Sequence, residues 1–306
     1  MTADALRALL PVILLIALGQ GLRRFGIMND AFWPQAERIS YFVLLPSLFF
    51  HGMATAQLGE LPASRLALTL VAATLTIAAL VVICRSLMRI DGSGFTSIFQ
   101  GSIRFNNYIG LTMVSGWLGA TGVAYAAICN AAMVPVVNVL AVLVFARHGD
   151  VRMSPLHVLR ESVTNPLTLS CLGGLAFHWS GLTLPVGVEP AMKTLGGASL
   201  PLGLLCVGAA LRFSGLRASM APIAISSLFK LALLPGVTLA IARALGLAAG
   251  PTLVAVLYQA LPTASSAYIL ARQLGGDAPL MARITAAQTV IAMATLPLVL
   301  SLLPAG

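Results

Sequence analysis

Charge is scarce in this chain. Of 306 residues only 9% are Asp, Glu, Lys or Arg, against roughly 25% in soluble proteins, and 58% are hydrophobic. So few charges cannot dress the surface of a soluble globule. A mean hydropathy of +0.95 exceeds what one core of this length can bury, so lipid is the solvent for most of the chain. A soluble enzyme, a nucleic-acid-binding domain and a disordered adaptor are thereby excluded. Acid is scarcer than base, 9 Asp and Glu against 18 Lys and Arg, for a net charge of +9. In a membrane protein that excess points to cytoplasmic loops before nucleic acid. The four cysteines, Cys84, Cys129, Cys171 and Cys206, lie singly inside apolar stretches, so neither a zinc site nor a disulfide framework is expected. No His-rich, Asp-paired or Gly-x-Ser-x-Gly constellation offers catalytic residues, which argues against an intramembrane enzyme. A channel would need rings of like residues around a pore, and a single repeat-built chain does not readily supply them. No cofactor or structural metal is implied.

Long polar segments are also missing. The longest break, Arg147 to Ser154, is only a loop. Scanning for about 20 mostly apolar residues gives ten candidate spans, at 5–22, 32–54, 63–84, 95–117, 120–145, 155–178, 190–211, 218–242, 250–271 and 279–303. Their runs are continuously apolar rather than alternating, which favours helices over a barrel. The first reads as a retained helix and not a signal peptide, because Asp4 dilutes the basic n-region and Arg23-Arg24 stand where a cleavage site should be. Twelve arginines, Arg23, Arg24, Arg38, Arg85, Arg89, Arg147, Arg152, Arg160, Arg212, Arg217, Arg272 and Arg283, gather on one side, and only Arg7, Arg65, Lys193 and Arg243 on the other. The richer side is expected to be cytoplasmic, with both termini outside the cell membrane.

Shifting the chain by 155 residues brings Pro11 onto Pro166, Gly19 onto Gly174, Gly26 onto Gly181 and Leu45-Pro46 onto Leu200-Pro201, and a shift of 156 brings Leu118-Gly119 onto Leu274-Gly275. Proline and glycine are costly inside helices, so matched breaks carry more weight than matched leucines. The shift divides ten spans into five and five, residues 1–150 and 151–306, and an odd number forces the second copy to enter the membrane inverted. That is the pattern of secondary transporters whose substrate site lies where broken helices meet at mid-membrane. The expected fold is an all-α polytopic membrane protein of ten transmembrane helices, two inverted five-helix repeats with helices 4 and 9 broken and crossed.

The breaks stand in corresponding spans. The fourth contains Arg104-Phe105-Asn106-Asn107-Tyr108 and the ninth Gln259-Ala260-Leu261-Pro262-Thr263-Ala264-Ser265-Ser266. Asparagine competes for backbone hydrogen bonds and proline lacks an N–H, so both disfavour continuous helix. Freed backbone groups at this depth must line a polar cavity or bind a ligand, and each break leaves a half-helix N-terminus suited to an anion. The plainer reading is a proline kink with asparagines bonding to neighbouring helices. Arg104 and Lys230 lie roughly 14 and 18 Å along their helices, with no Asp or Glu at comparable depth, and an anionic substrate would be the missing counter-ion. Alternatively Arg104 snorkels to the interface and Lys230 bonds to carbonyls. His51, His157 and His178 read as interfacial. The candidate substrate-binding set is Arg104, Asn106, Asn107, Tyr108, Asn130, Gln259, Pro262, Thr263, Ser265, Ser266, Gln288 and Lys230. With no titrating carboxylate at mid-membrane, coupling would use Na⁺ on the oxygens of Asn106, Asn130, Thr263, Ser265 and Gln288, or be absent.

The segments Arg104-Phe105-Asn106-Asn107-Tyr108-Ile109-Gly110 and Leu261-Pro262-Thr263-Ala264-Ser265-Ser266-Ala267-Tyr268-Ile269-Leu270-Ala271-Arg272-Gln273-Leu274-Gly275-Gly276-Asp277 resemble the auxin efflux carrier family. Length, span number and short central loop are similar to its bacterial branch of malonate- and malate-linked permeases. The resemblance implies an elevator-type carrier, with a dimerising scaffold of helices 1, 2, 6 and 7 and a transport domain of helices 3–5 and 8–10. Its plant members carry Asn-Pro where this chain has Asn106-Asn107, so auxin itself is not implied. The function expected is transport of small organic anions, carboxylates above all. The alternative is a sodium-coupled symporter of larger amphipathic acids, like the bile-acid symporters of related architecture.

Overall fold

A computed structural model describes residues 2–55, 62–149, 165–264 and 266–301, and the regular structure among them is entirely helical. Helix α1 is Thr2–Arg24. Helix α2, Phe32–Ile39, passes through a π turn, Ser40–Leu44, into α3, Leu45–Ala54, and α4 is Ala63–Ile83. Then come α5, Gly92–Ile103, and α6, Asn107–His148, followed by α7, Pro166–Trp179, and α8, Val188–Ala210. Helix α9, Met220–Leu228, runs through a second π turn, Phe229–Leu233, into α10, Leu234–Ala244. The last three are α11, Ala249–Ala260, α12, Ser266–Gln273, and α13, Ala278–Ser301. Among the described residues, five helical stretches are long and apolar enough to cross a membrane: Ala63–Leu87, Gly92–His148, Val188–Ala210, Leu216–Ala244 and Ala278–Val299. Residues 155–164 of the expected sixth span, with His157, Arg160 and Glu161, lie outside the described residues, as do Arg152 in the loop before it and Ser265.

Local chemistry explains the interruptions. Both π turns end directly before a Leu-Pro pair, Leu45-Pro46 and Leu234-Pro235. A proline ring collides with the carbonyl four residues back, at Phe42 and Leu231, and the helix admits one extra residue rather than break. In α6 the backbone turns sharply at Gly119, whose φ of 57° and ψ of −133° suit glycine. Gly122 packs on the carbonyl of Val114 beyond this turn, a contact that a straight helix could not make over eight residues. The turn at Gly119 thus separates the expected fourth span, α5 with the first limb of α6, from the expected fifth, its second limb.

Packing repeats at the spacing read from the sequence. Gly19 of α1 lies against the backbone of Leu205 in α8, and Gly174 of α7 lies against Phe50 in α3. Adding 155 to Gly19 gives Gly174, and adding it to Phe50 gives Leu205, so one close contact maps onto the other. Gly26 and Gly181, similarly spaced, both end their helices with left-handed φ of 68° and 67°, and Gly119 and Gly275 also share positive φ. The interior is an apolar cluster including Phe49, Leu66, Leu70, Phe99 and Tyr258, all buried. Outward faces carry exposed apolar side chains such as Leu10, Leu14 and Leu18, one stripe of α1 at four-residue spacing. At one end of the bundle Ser97 Oγ donates to the carbonyl of Asp277 at 2.8 Å and the Asp277 N–H donates to that of Ser93 at 3.2 Å, tying α5 to the α12–α13 turn.

Candidate functional site

The two interrupted helices meet at their breaks. Between α5 and α6 the chain is extended at Arg104 (ψ 159°) and Asn106 (ψ 103°). After α11 it is extended at Leu261 (ψ 146°), as expected for a residue preceding proline. The Asn106 N–H donates to the carbonyl of Pro262 at 2.8 Å, a backbone bond from one break to the other. Gln288 of α13 fastens the pair: its Oε1 accepts from the Thr263 N–H at 3.1 Å and its Nε2 donates to the carbonyl of Gly101 at 2.9 Å. Asn106 Oδ1 accepts from the N–H groups of Tyr108 and Ile109 at 3.1 and 3.3 Å, an N-cap for α6. The sequence pointed to an open half-helix N-terminus as the anion seat. Here Asn106 already fills part of it, and the freed backbone groups find much of their bonding inside the protein.

Side-chain amides are not so fully used. Asn130 Nδ2 donates to Asn107 Oδ1 at 2.6 Å and to the carbonyl of Ala126 at 2.8 Å. These bonds fix the amide orientations and leave Asn106 Nδ2 and Asn107 Nδ2 as buried donors, and Asn130 Oδ1 as a buried acceptor, with no partner among the described residues. The Thr263 hydroxyl is buried and unpartnered too. Arg104, half-buried at the C-terminal end of α5, donates from Nη1 to Asn138 Oδ1 at 3.0 Å, so it is held inside the bundle and does not snorkel away. Its electrostatic neighbour is Tyr41 of the first π turn, whose hydroxyl accepts from Asn165 Nδ2 at 2.8 Å. The Tyr108 ring packs against Gly203 of α8, where any larger residue would collide with it. Glu37, placed near a span end by the sequence, is close enough to act electrostatically on the Tyr108 hydroxyl.

Other expected members lie elsewhere. Gln259 faces α4, donating from Nε2 to the Leu70 carbonyl at 3.0 Å and to Thr74 Oγ1 at 2.9 Å, while its Oε1 has no partner. Lys230 lies in the second π turn, fully buried, and Nζ makes no hydrogen bond among the described residues, so the alternative of carbonyl contacts is not formed there. Ser266 begins α12 and is half-buried. Asn138 and Tyr41 were missed. Asn138 is a lone amide in an apolar span, and that polarity was the available signal. Among the described residues, no group of three or more His, Cys, Asp or Glu is placed to hold a metal ion.

A family model described as membrane transport protein matches residues 4–300. A Methanothermobacter thermautotrophicus protein named "Uncharacterized transporter" is 24% identical over 292 residues, covering 94% of this chain and 95% of that protein. A Rhizobium meliloti protein named "Putative malonate transporter" is 27% identical over 246 residues, covering 76% of this chain and 75% of that protein.

Proposed function

The chain belongs to the membrane transport protein family, the auxin efflux carrier family of its sequence motifs, and from that membership we propose that it is a secondary carrier of small organic anions, malonate-like carboxylates first, across the cell membrane. Family and relatives are transporters and not enzymes, and the chain is an integral membrane protein. The observation that carries the substrate class is the crossing itself. Two unpartnered amide donors, Asn106 Nδ2 and Asn107 Nδ2, stand in the same break as the Arg104 guanidinium. Donors left without acceptors in a low-dielectric interior favour an anion, and arginine's planar fork grips a carboxylate with two bonds. The malonate assignment of a relative agrees with that chemistry.

In this reading the ten spans form two inverted repeats, supported by the paired contacts of Gly19 with Leu205 and Gly174 with Phe50 and by the matched left-handed glycines. Spans 3–5 and 8–10 move as a transport body past a dimerising scaffold of spans 1, 2, 6 and 7. The Tyr108 ring on Gly203 lies on the sliding surface. The bonds from Gln288 and Asn106 keep the crossing intact during movement, and Asn107, Asn130, Thr263 and Arg104 face the substrate. A second reading, sodium-coupled symport, draws on the unpartnered oxygens Asn130 Oδ1 and Thr263 Oγ1, which suit a hard cation.

Counterflow of labelled malonate into proteoliposomes, with Na⁺ present and absent, tests both. Exchange that ignores Na⁺ supports the anion carrier alone, and exchange that needs Na⁺ supports symport. No exchange of malonate or other small carboxylates would sink the substrate class.

A further inference from the structure

Lys230 is buried to 0% exposure inside the bundle, and among the described residues its Nζ has no hydrogen-bond partner. The elements packed against its π turn are α4, α5, α9, α10, α11 and α13. The charged or titratable side chains on those helices are Arg65 on α4, Arg243 on α10, Tyr258 on α11 and Arg283 on α13. None of the six carries an Asp or Glu. An ammonium there has lost its hydration with no carboxylate in return. A negative charge brought near would offset that loss.

The depth of Lys230 indicates where such a charge would come from. Ser226 Cβ lies 3.2 Å from where a methyl on Gly101 would sit, so α9 and α5 touch at that point. Lys230 is one turn beyond Ser226, and Arg104 three residues beyond Gly101. In the ten-span reading α5 and α9 cross the membrane in the same direction, which puts Lys230 about level with the crossing where the anion is proposed to bind.

We propose that Lys230 is the proton-binding site of this carrier, and that one proton travels with each substrate anion. On the side where the anion enters, the Nζ lone pair takes a proton from water and a new N–H bond makes the ammonium. The arriving anion offsets its charge. On the far side the anion leaves, that N–H bond breaks, the proton returns to water and the amine is restored. Nothing is oxidised or reduced, and the cycle moves one positive charge in the direction of the anion. The cargo half of this proposal rests on the anion-carrier reading, whereas proton binding at Nζ does not.

The chain has only two lysines, Lys193 and Lys230, and Lys193 is exposed near the start of α8. A Lys193→Arg protein labelled with ¹³C at lysine Cε and reconstituted in nanodiscs therefore gives a single lysine resonance. That resonance should cross from the ammonium to the amine position as pH rises over roughly pH 5–9, the span in which buried lysines exchange protons. At constant pH, malonate should drive it back toward ammonium. A resonance that keeps the ammonium position throughout overturns the proposal. In proteoliposomes enclosing a pH dye, a malonate gradient should move protons with the wild type and not with Lys230→Met, nor with Lys230→Arg, whose charge is permanent. Undiminished malonate-driven proton movement in Lys230→Met also overturns it. Should the wild type bind no malonate, the cargo reading fails and the resonance still decides for or against proton binding, with the native lysine in place.

Discussion

At the residue scale the site turns on Arg104, and a charge at that depth is too expensive to keep without a use. Its Nη1 is taken by Asn138, and the rest of its fork of donors is free to meet a carboxylate. Arg104→Lys, a point charge on a flexible stem, should retain partial malonate binding. Arg104→Gln should lose roughly 1.5–3 kcal/mol, about ten- to hundredfold in affinity, measured by calorimetry in detergent. Equal affinity in all three proteins would show that the guanidinium does not touch the substrate. Arg104 was legible in the sequence because one charge in an apolar run stands out. Asn138 was not legible as its partner, because nothing in local spacing links two residues 34 apart. Lys230 was legible as a deep charge, but its complete lack of bonding was visible only in three dimensions.

At the scale of elements, the breaks in the fourth and ninth spans could be read directly, since asparagine pairs and proline have only local reasons to interrupt a helix. How the freed groups are satisfied could not. Asn106 caps its own helix and Gln288 bridges both breaks, so both hold the crossing together, while Asn107 and Asn130 keep unused valence. Asn107→Leu should abolish malonate exchange and leave the protein monodisperse in detergent, because the leucine removes an unpartnered donor and the Asn130 contact without touching the bond between the breaks. Wild-type exchange by that variant would reduce the break to a kink. The close helix pairs make a separate forecast. Gly19→Val and Gly174→Val each drive a side chain into a facing backbone, and each should cost about 1–3 kcal/mol, seen as a lower melting temperature in detergent. If only one of the two lowered it, the two contacts would not be equivalent.

At the scale of the whole molecule, the distribution of arginines sets the expected orientation. Met28, exposed after α1, and Leu182, exposed after α7, should lie on opposite sides of the membrane. In a Cys84→Ser background, where the remaining native thiols are buried, Leu182→Cys should react with an impermeant thiol reagent on intact cells. Met28→Cys should react only after lysis. The reverse pattern would invert the topology and the direction assigned to the site. The membrane setting, the helical class, the positions of most helices and the two breaks were settled by composition, periodicity and punctuation, because hydrophobicity and the φ/ψ limits of proline, asparagine and glycine act over a few residues. The bond between Asn106 and Pro262, the Gln288 clamp, the seat of the Tyr108 ring on Gly203, and the isolation of Lys230 were decided by the tertiary structure. Each depends on which helices lie side by side, and that is set by packing between residues from about 25 to more than 150 positions apart, over which local preferences have no reach.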